Sequence, residues 1–152
     1  MGRIKTQKKL NMKHFLLFLF IGISANLIAQ QTDYNTKRGF VAEGYDVVSY
    51  FTETKPAKGE KKHQVTHDGV KFKFSSEKNL TLFKENPTKY IPEYGGWCAY
   101  AIGLNSEKVS INPKTFEIRD GKLYLFYNSW GTNTLNLWTK EGAEKLKKAA
   151  DK

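Results

Sequence analysis

Three side chains in this sequence could hold a soft or borderline metal: Cys98, His63 and His67. His63 and His67 stand four apart in a run that alternates like a β-strand, so both point to the same side. Two imidazoles and one thiolate would suit copper or zinc. On a straight strand the two rings are too far apart for easy two-point chelation, so the set requires a bend. The same residues also fit an ordinary structural reading, in which the histidines are polar members of a hairpin and Cys98 is a small core residue. A further reading makes Cys98 a thiol nucleophile or redox sensor. It follows Gly95-Gly96 and can open a helical turn, a position that favours thiolate. No acidic orienter or oxyanion motif accompanies it. A single cysteine excludes both a dithiol redox pair and a disulfide within the chain.

A second constellation is aromatic. Tyr45, Tyr50, Tyr94, Trp97 and Tyr100, with Asp46, flank two short motifs and could edge a small-ligand pocket beside Cys98. Each aromatic could equally be an amphipathic residue at the core boundary. Asp46 could supply a charge to that pocket or cap the turn after Gly44. The sequence carries no phosphate loop, zinc-protease helix or serine nucleophile elbow.

Two hairpins and two or three helices must position these groups. His63–His67 leads to Asp68-Gly69, and Val70–Phe74 returns; Thr115–Arg119, Asp120-Gly121 and Lys122–Phe126 repeat the pattern. Asp-Gly between alternating runs is a strong two-residue turn signal. Val70, Phe72 and Phe74 share one face. Ser75 is the expected N-cap of a helix with Glu77 in its first turn. Leu80 and Phe83 lie on its inner face, and Asn86-Pro87 ends it. The charged run 52–62, broken by Pro56 and Gly59, is expected to be a surface loop. A closing helix falls within 134–150, with Leu135, Trp138, Leu146 and Ala149 inward and Glu141–Lys145 and Glu144–Lys148 paired outward. The class is α+β: small antiparallel hairpins packed against helices.

The ends set the context. Basic residues precede the apolar run Phe15–Ile23, and small residues follow at Ser24, Ala25 and Ala29. This pattern predicts a secretory signal peptide over 1–29, cut after Ala29 or alternatively Ala25, and hence a periplasmic or secreted protein. Met12 is a second candidate start. The apolar run is shorter than the roughly 20 residues that span a bilayer, so no stable membrane insertion is expected after cleavage. No cysteine sits at the cleavage point to take a lipid. Residues 30–43 are polar and aperiodic and read as a flexible lead-in, leaving 44–150 as the domain. The chain has 25 Lys and Arg against 15 Asp and Glu. Five basic and no acidic residues precede residue 30, which leaves 20 against 15. Those charges are spread along the chain without a compact basic stripe, so no nucleic-acid partner is expected.

The stretch Phe74-Ser75-Ser76-Glu77-Lys78-Asn79 … Phe83 … Asn86-Pro87-Thr88-Lys89-Tyr90 resembles the helical signature of the YHS domain family. In the metal-type members that signature runs close to F-C-S-x-x-C-x-x-x-F-x-x-N-P-x-K-Y. Gly44–Phe51 and Gly95–Ala101 are similar to the G-Y-D-P-V-A-Y-F and G-G-Y-C-A-Y-A stretches of exported members. The resemblance extends over 44–150. It implies the α+β module above and a role in metal-ion binding or metal homeostasis, with copper the first candidate and zinc the second. The two positions that hold cysteine in metal-type members carry Ser75 and Asn79, poor ligands for soft metals. Three functions therefore stand: a metal-binding module using Cys98 with His63 or His67, a thiol enzyme or sensor through Cys98, and a metal-free scaffold for a ligand or protein.

Overall fold

The structure, a computed structural model, describes residues 32–53 and 55–152. The expected leader, 1–29, lies outside the described residues. The elements in chain order are β1 (Thr36–Lys37), β2 (Phe40–Val41), α1 (Ser49–Thr52), β3 (Glu60–His67), β4 (Val70–Phe74), α2 (Glu77–Glu85), α3 (Pro87–Tyr90), α4 (Ala99–Asn105), β5 (Asn112–Arg119), β6 (Lys122–Phe126), β7 (Asn128–Ser129), β8 (Thr132–Asn133), α5 (Thr134–Glu141) and α6 (Ala143–Ala150). Short 3-10 turns occupy Ala42–Gly44 and Glu93–Gly96.

The stretch read as a lead-in belongs to the core. Tyr34, Val41 and Ala42 are buried, and the Tyr34 ring meets Phe72 edge-on at 6.1 Å. β1 pairs antiparallel with β2, and β2 runs parallel to β4 with Phe40 opposite Lys71. The sheet order is thus β1-β2-β4-β3. Its apolar residues are too few and too irregularly spaced to show a period, yet each finds a place against β4.

Both Asp-Gly turns form as expected. Asp68 and Gly69 take φ of 48° and 77°, and Asp120 and Gly121 take 52° and 73°. These are the left-handed pairs that match hairpin twist. β3–β4 shifts register between Glu60 and Gln64, and β5–β6 between Asn112 and Phe116. Phe72 and Phe74 point inward against Phe83 of α2, at ring separations of 4.8 and 5.0 Å. A third hairpin, β7–β8, turns through Trp130-Gly131 and leaves Trp130 95% exposed.

Three local expectations change. The N-cap of α2 is Ser76, whose hydroxyl accepts from the Asn79 amide at 3.2 Å; Ser75 serves elsewhere. The closing helix breaks into α5 and α6 at Gly142, φ 101°. The break turns Ala143 into the core and leaves Ala149 exposed. Glu141 then accepts from the Tyr100 hydroxyl, and Glu144 pairs with Arg119, so neither bonds the lysine four residues on. Trp138 and Leu146 are inward as expected.

α4 crosses α6 at Gly103, where a Cβ would stand 2.6 Å from the Leu146 carbonyl oxygen. Helix propensity alone favours alanine there by about 1 kcal/mol. The collision is with backbone and must outweigh that gain. Gly103→Ala is expected to destabilise the protein by about 1–3 kcal/mol in denaturant unfolding; a stabilised variant would show that the two helices separate freely.

Buried phenols give a second expectation. Burial, then nearby carboxylates led by Glu93, push the Tyr124 hydroxyl up to about 12. Burial also raises Tyr50, whose hydroxyl donates to the Pro113 carbonyl at 2.6 Å. A raised folded-state value gives stability that is complete below the unfolded phenol value near 10 and fades as pH climbs through the folded value. Unfolding free energy measured from pH 8 to 12 should fall above about pH 10, and Tyr124→Phe should soften the slope. A flat profile to pH 12 would refute the buried-phenol account.

Candidate functional site

Ser75 and Asn79 meet at a buried carboxylate. Asp46 is 0% exposed. Its Oδ1 accepts from the Val48 and Ser49 amides at 2.9 and 3.3 Å, which winds the chain into α1. Its Oδ2 accepts from the Ser75 amide at 2.8 Å, the Ser75 hydroxyl at 2.7 Å and the Asn79 Nδ2 at 2.7 Å. The second Asn79 Nδ2 proton reaches Ser75 Oγ at 3.3 Å. Ser49 Oγ donates to the Asp46 carbonyl at 2.6 Å and accepts from the Ala57 amide at 2.9 Å. Five donors therefore converge on one carboxylate. Ser75 and Asn79 face it with hydrogens rather than lone pairs. A cation would need those same lone pairs, so the residues present do not fit a metal ion at this place. Among the described residues no group of three or more His, Cys, Asp and Glu side chains could hold a metal.

The structure does not gather Cys98, His63 and His67 into a ligand set. Cys98 is fully buried at the N-cap of α4. Its Sγ accepts from the Tyr127 amide at 3.4 Å and lies 3.3 Å from Thr134 Oγ1. Thr134 Oγ1 in turn donates to the Tyr127 carbonyl at 2.9 Å. With the threonine proton committed there, the thiol is the donor to Thr134, and the ring of bonds closes on itself. This is a structural tie between α4, the end of β6 and α5. His63 Nδ1 lies 3.0 Å from Glu77 Oε2. His67 lies 3.4 Å from Asp68 Oδ2, and its ring packs edge-on to Phe83 at 5.7 Å. Each histidine has neighbours on its own hairpin and α2.

The aromatic candidates likewise disperse. Tyr50 is in the core. Tyr100 donates from its hydroxyl to Glu141 at 2.8 Å. Tyr94 and Trp97 line a cleft of about 520 Å³ together with Tyr34, Asp68, Pro92 and Lys108. Tyr94 bonds Asp151, and Trp97 Nε1 donates to the Asp33 carbonyl at 2.9 Å. Tyr45 lines a different cleft of about 770 Å³ with Lys58, Lys61 and Lys73. Asp46 belongs to neither. The Gly95-Gly96 pair receives the incoming chain: the Asn35 amide and side chain donate to the Gly95 and Gly96 carbonyls at 2.9 and 3.0 Å. A Cβ at Gly95 would lie 2.5 Å from Asp33 O, so only glycine admits this strap.

Two groupings escaped the sequence reading. The Asp46–Ser75–Asn79 bonds join residues 29 and 33 positions apart; the signal was the paired polar substitution four residues apart at the head of α2. The lysine-lined cleft draws on three separated segments, none of them a charge run pointing at the others.

The family model of the YHS domain matches residues 48–94. The matched segment is similar to the YHS domain, a module associated with metal handling, and within it serine and asparagine stand at the two motif positions and bind a carboxylate. No curated protein and no solved structure matches the chain.

Asp46→Asn tests the saturation directly. The amide keeps the shape but has one acceptor oxygen, so either orientation sets an NH2 group against existing donors. Loss of about 2–4 kcal/mol of unfolding free energy is expected, with Ser75→Ala and Asn79→Ala costing less because the carboxylate keeps other donors. A neutral Asp46→Asn would mean that the carboxylate is not held as described.

Proposed function

We propose that this chain is an exported binding module that works without a metal ion, with the signature positions serving as an internal lock and ligand contact falling to the surface clefts. The observation that carries this reading is the convergence of five donors on Asp46, including both side chains that stand where metal-type members have cysteine. The basic and apolar start of the sequence supports export. No helix among the described residues is long and apolar enough to cross a membrane. The enclosed Cys98 thiol argues against a thiol enzyme, since a nucleophile needs access.

Titration of the purified protein with Cu(I), Cu(II) and Zn(II) tests the reading. No binding tighter than about micromolar is expected, and Cys98→Ala should leave the titrations unchanged. The Ser75→Cys/Asn79→Cys variant restores two thiolates one helical turn apart beside Asp46 and should gain zinc affinity. The Cys98 thiol should stay unreactive toward an aromatic disulfide reagent until the protein unfolds. Stoichiometric metal binding by the unaltered protein, lost in Cys98→Ala or His63→Ala, would restore the metal-centre reading.

A further inference from the structure

The larger cleft concentrates most of the excess positive charge of the domain. Lys37, Arg38, Lys58, Lys61 and Lys73 line it, with Glu43 as its one carboxylate. The chain from residue 30 onward carries 20 basic against 15 acidic residues. Five of the former and one of the latter lie in this concavity, so nearly all of the surplus sits in one place. The residues come from β1 and its turn, the loop after α1, and β3 and β4, which only the fold brings together.

Two of the cations are held in place. Lys37 Nζ lies 2.9 Å from Glu43 Oε1, which uses up the only neutralising group. Lys73 Nζ stands 3.9 Å over the Phe40 ring, a contact that fixes a lysine without cancelling its charge. Among the described residues Arg38, Lys58, Lys61 and Lys73 pair with no carboxylate. Tyr45 also lines the cleft, and its backbone forms a β-bridge with Lys58. Like charges gathered in a concave site repel one another and focus the potential outward, and a multiply charged anion relieves that repulsion. The volume, about 770 Å³, falls in the range of small-molecule sites.

We infer that this cleft binds a small oxyanion carrying three or more negative charges, of the organic phosphate or polycarboxylate class. The inference stands independently of whether the signature positions take a metal, because no residue of the Asp46 lock lines the cleft.

Isothermal titration of the purified protein with sodium tripolyphosphate and with citrate, at low salt, tests it. Saturable one-to-one binding of either anion is expected, and the tighter of the two identifies phosphate or carboxylate as the preferred group. Inorganic phosphate should bind at least about tenfold more weakly, and added NaCl should weaken all three. Lys58→Ala/Lys61→Ala should reduce affinity by about tenfold or more while the melting temperature holds. Lys145→Ala/Lys148→Ala on α6 removes the same charge at a distance and should change affinity less than about twofold. No saturable binding to either probe, or an equal loss in the α6 control, overturns the inference. So does tighter retention on single-stranded DNA or anionic lipid vesicles that Lys58→Ala/Lys61→Ala leaves intact.

Discussion

A buried carboxylate with five hydrogen bonds is the constraint around which the first half of the domain is arranged. Removing Asp46 from water costs several kcal/mol unless its lone pairs are filled. They are filled from two directions: Oδ1 by the amides that start α1, and Oδ2 by Ser75 and Asn79 at the head of α2. Charge-assisted bonds of this kind are short and directional. They fix the angle at which β4 passes into α2 and hold the chain before α1 against it. Ser49 extends the lock to the loop at Ala57. Asp46 is itself fully buried, and exclusion from water strengthens every bond inside the hub.

The second half is closed by a different device. Cys98, Tyr127 and Thr134 share a ring of bonds that ties α4 to the end of β6 and the start of α5. The Gly95-Gly96 turn, just before Cys98, accepts the strap at Asp33–Asn35. The strap then continues into β1 and β2, whose second strand pairs with β4. The incoming chain thereby touches both halves, which is why residues that look like a tail in the sequence are part of the core. The Sγ of the lone cysteine is a hydrogen-bonding joint in this arrangement.

What the sequence makes legible follows range. Both Asp-Gly hairpins, the inward faces of β4 and α2, and the α+β class depend on local alternation and turn chemistry, and all are present. The resemblance to the YHS domain was legible because its signature is a contiguous run, and the family model matches within 48–94. The site was not. Asp46 read as either a pocket charge or a turn cap; its first oxygen caps the turn into α1, it lines neither cleft, and its second oxygen serves residues about thirty positions away that no local pattern links to it. Ser75 looked like the helix cap by type; Ser76 takes that role because Ser75 is turned toward Asp46. The histidines and Cys98 carried the right atoms for a metal, but atom type says nothing of burial or of which neighbours claim the lone pairs. The helix break at Gly142 was similarly hidden, since an unbroken period fitted Leu135 through Ala149 on paper.

The lock and the basic cleft share two short segments. In Tyr45-Asp46, adjacent residues face different ways: Asp46 turns in to Ser75 and Asn79, and Tyr45 lines the cleft. In Lys73-Phe74-Ser75, Lys73 reaches the cleft, Phe74 fills the core and Ser75 binds Asp46. The Gly59 amide bonds the Gly44 carbonyl at 2.9 Å, the Asp46 amide bonds the Ala57 carbonyl at 2.9 Å, and Tyr45 bridges to Lys58. These bonds hold the Lys58 backbone against Tyr45. Long lysine side chains lose rotamer freedom when they converge on one ligand, and a rigid base reduces how much more must be lost. A fully bonded carboxylate behind the cleft serves that purpose better than a metal centre would, because it adds no cation to a wall that already carries several.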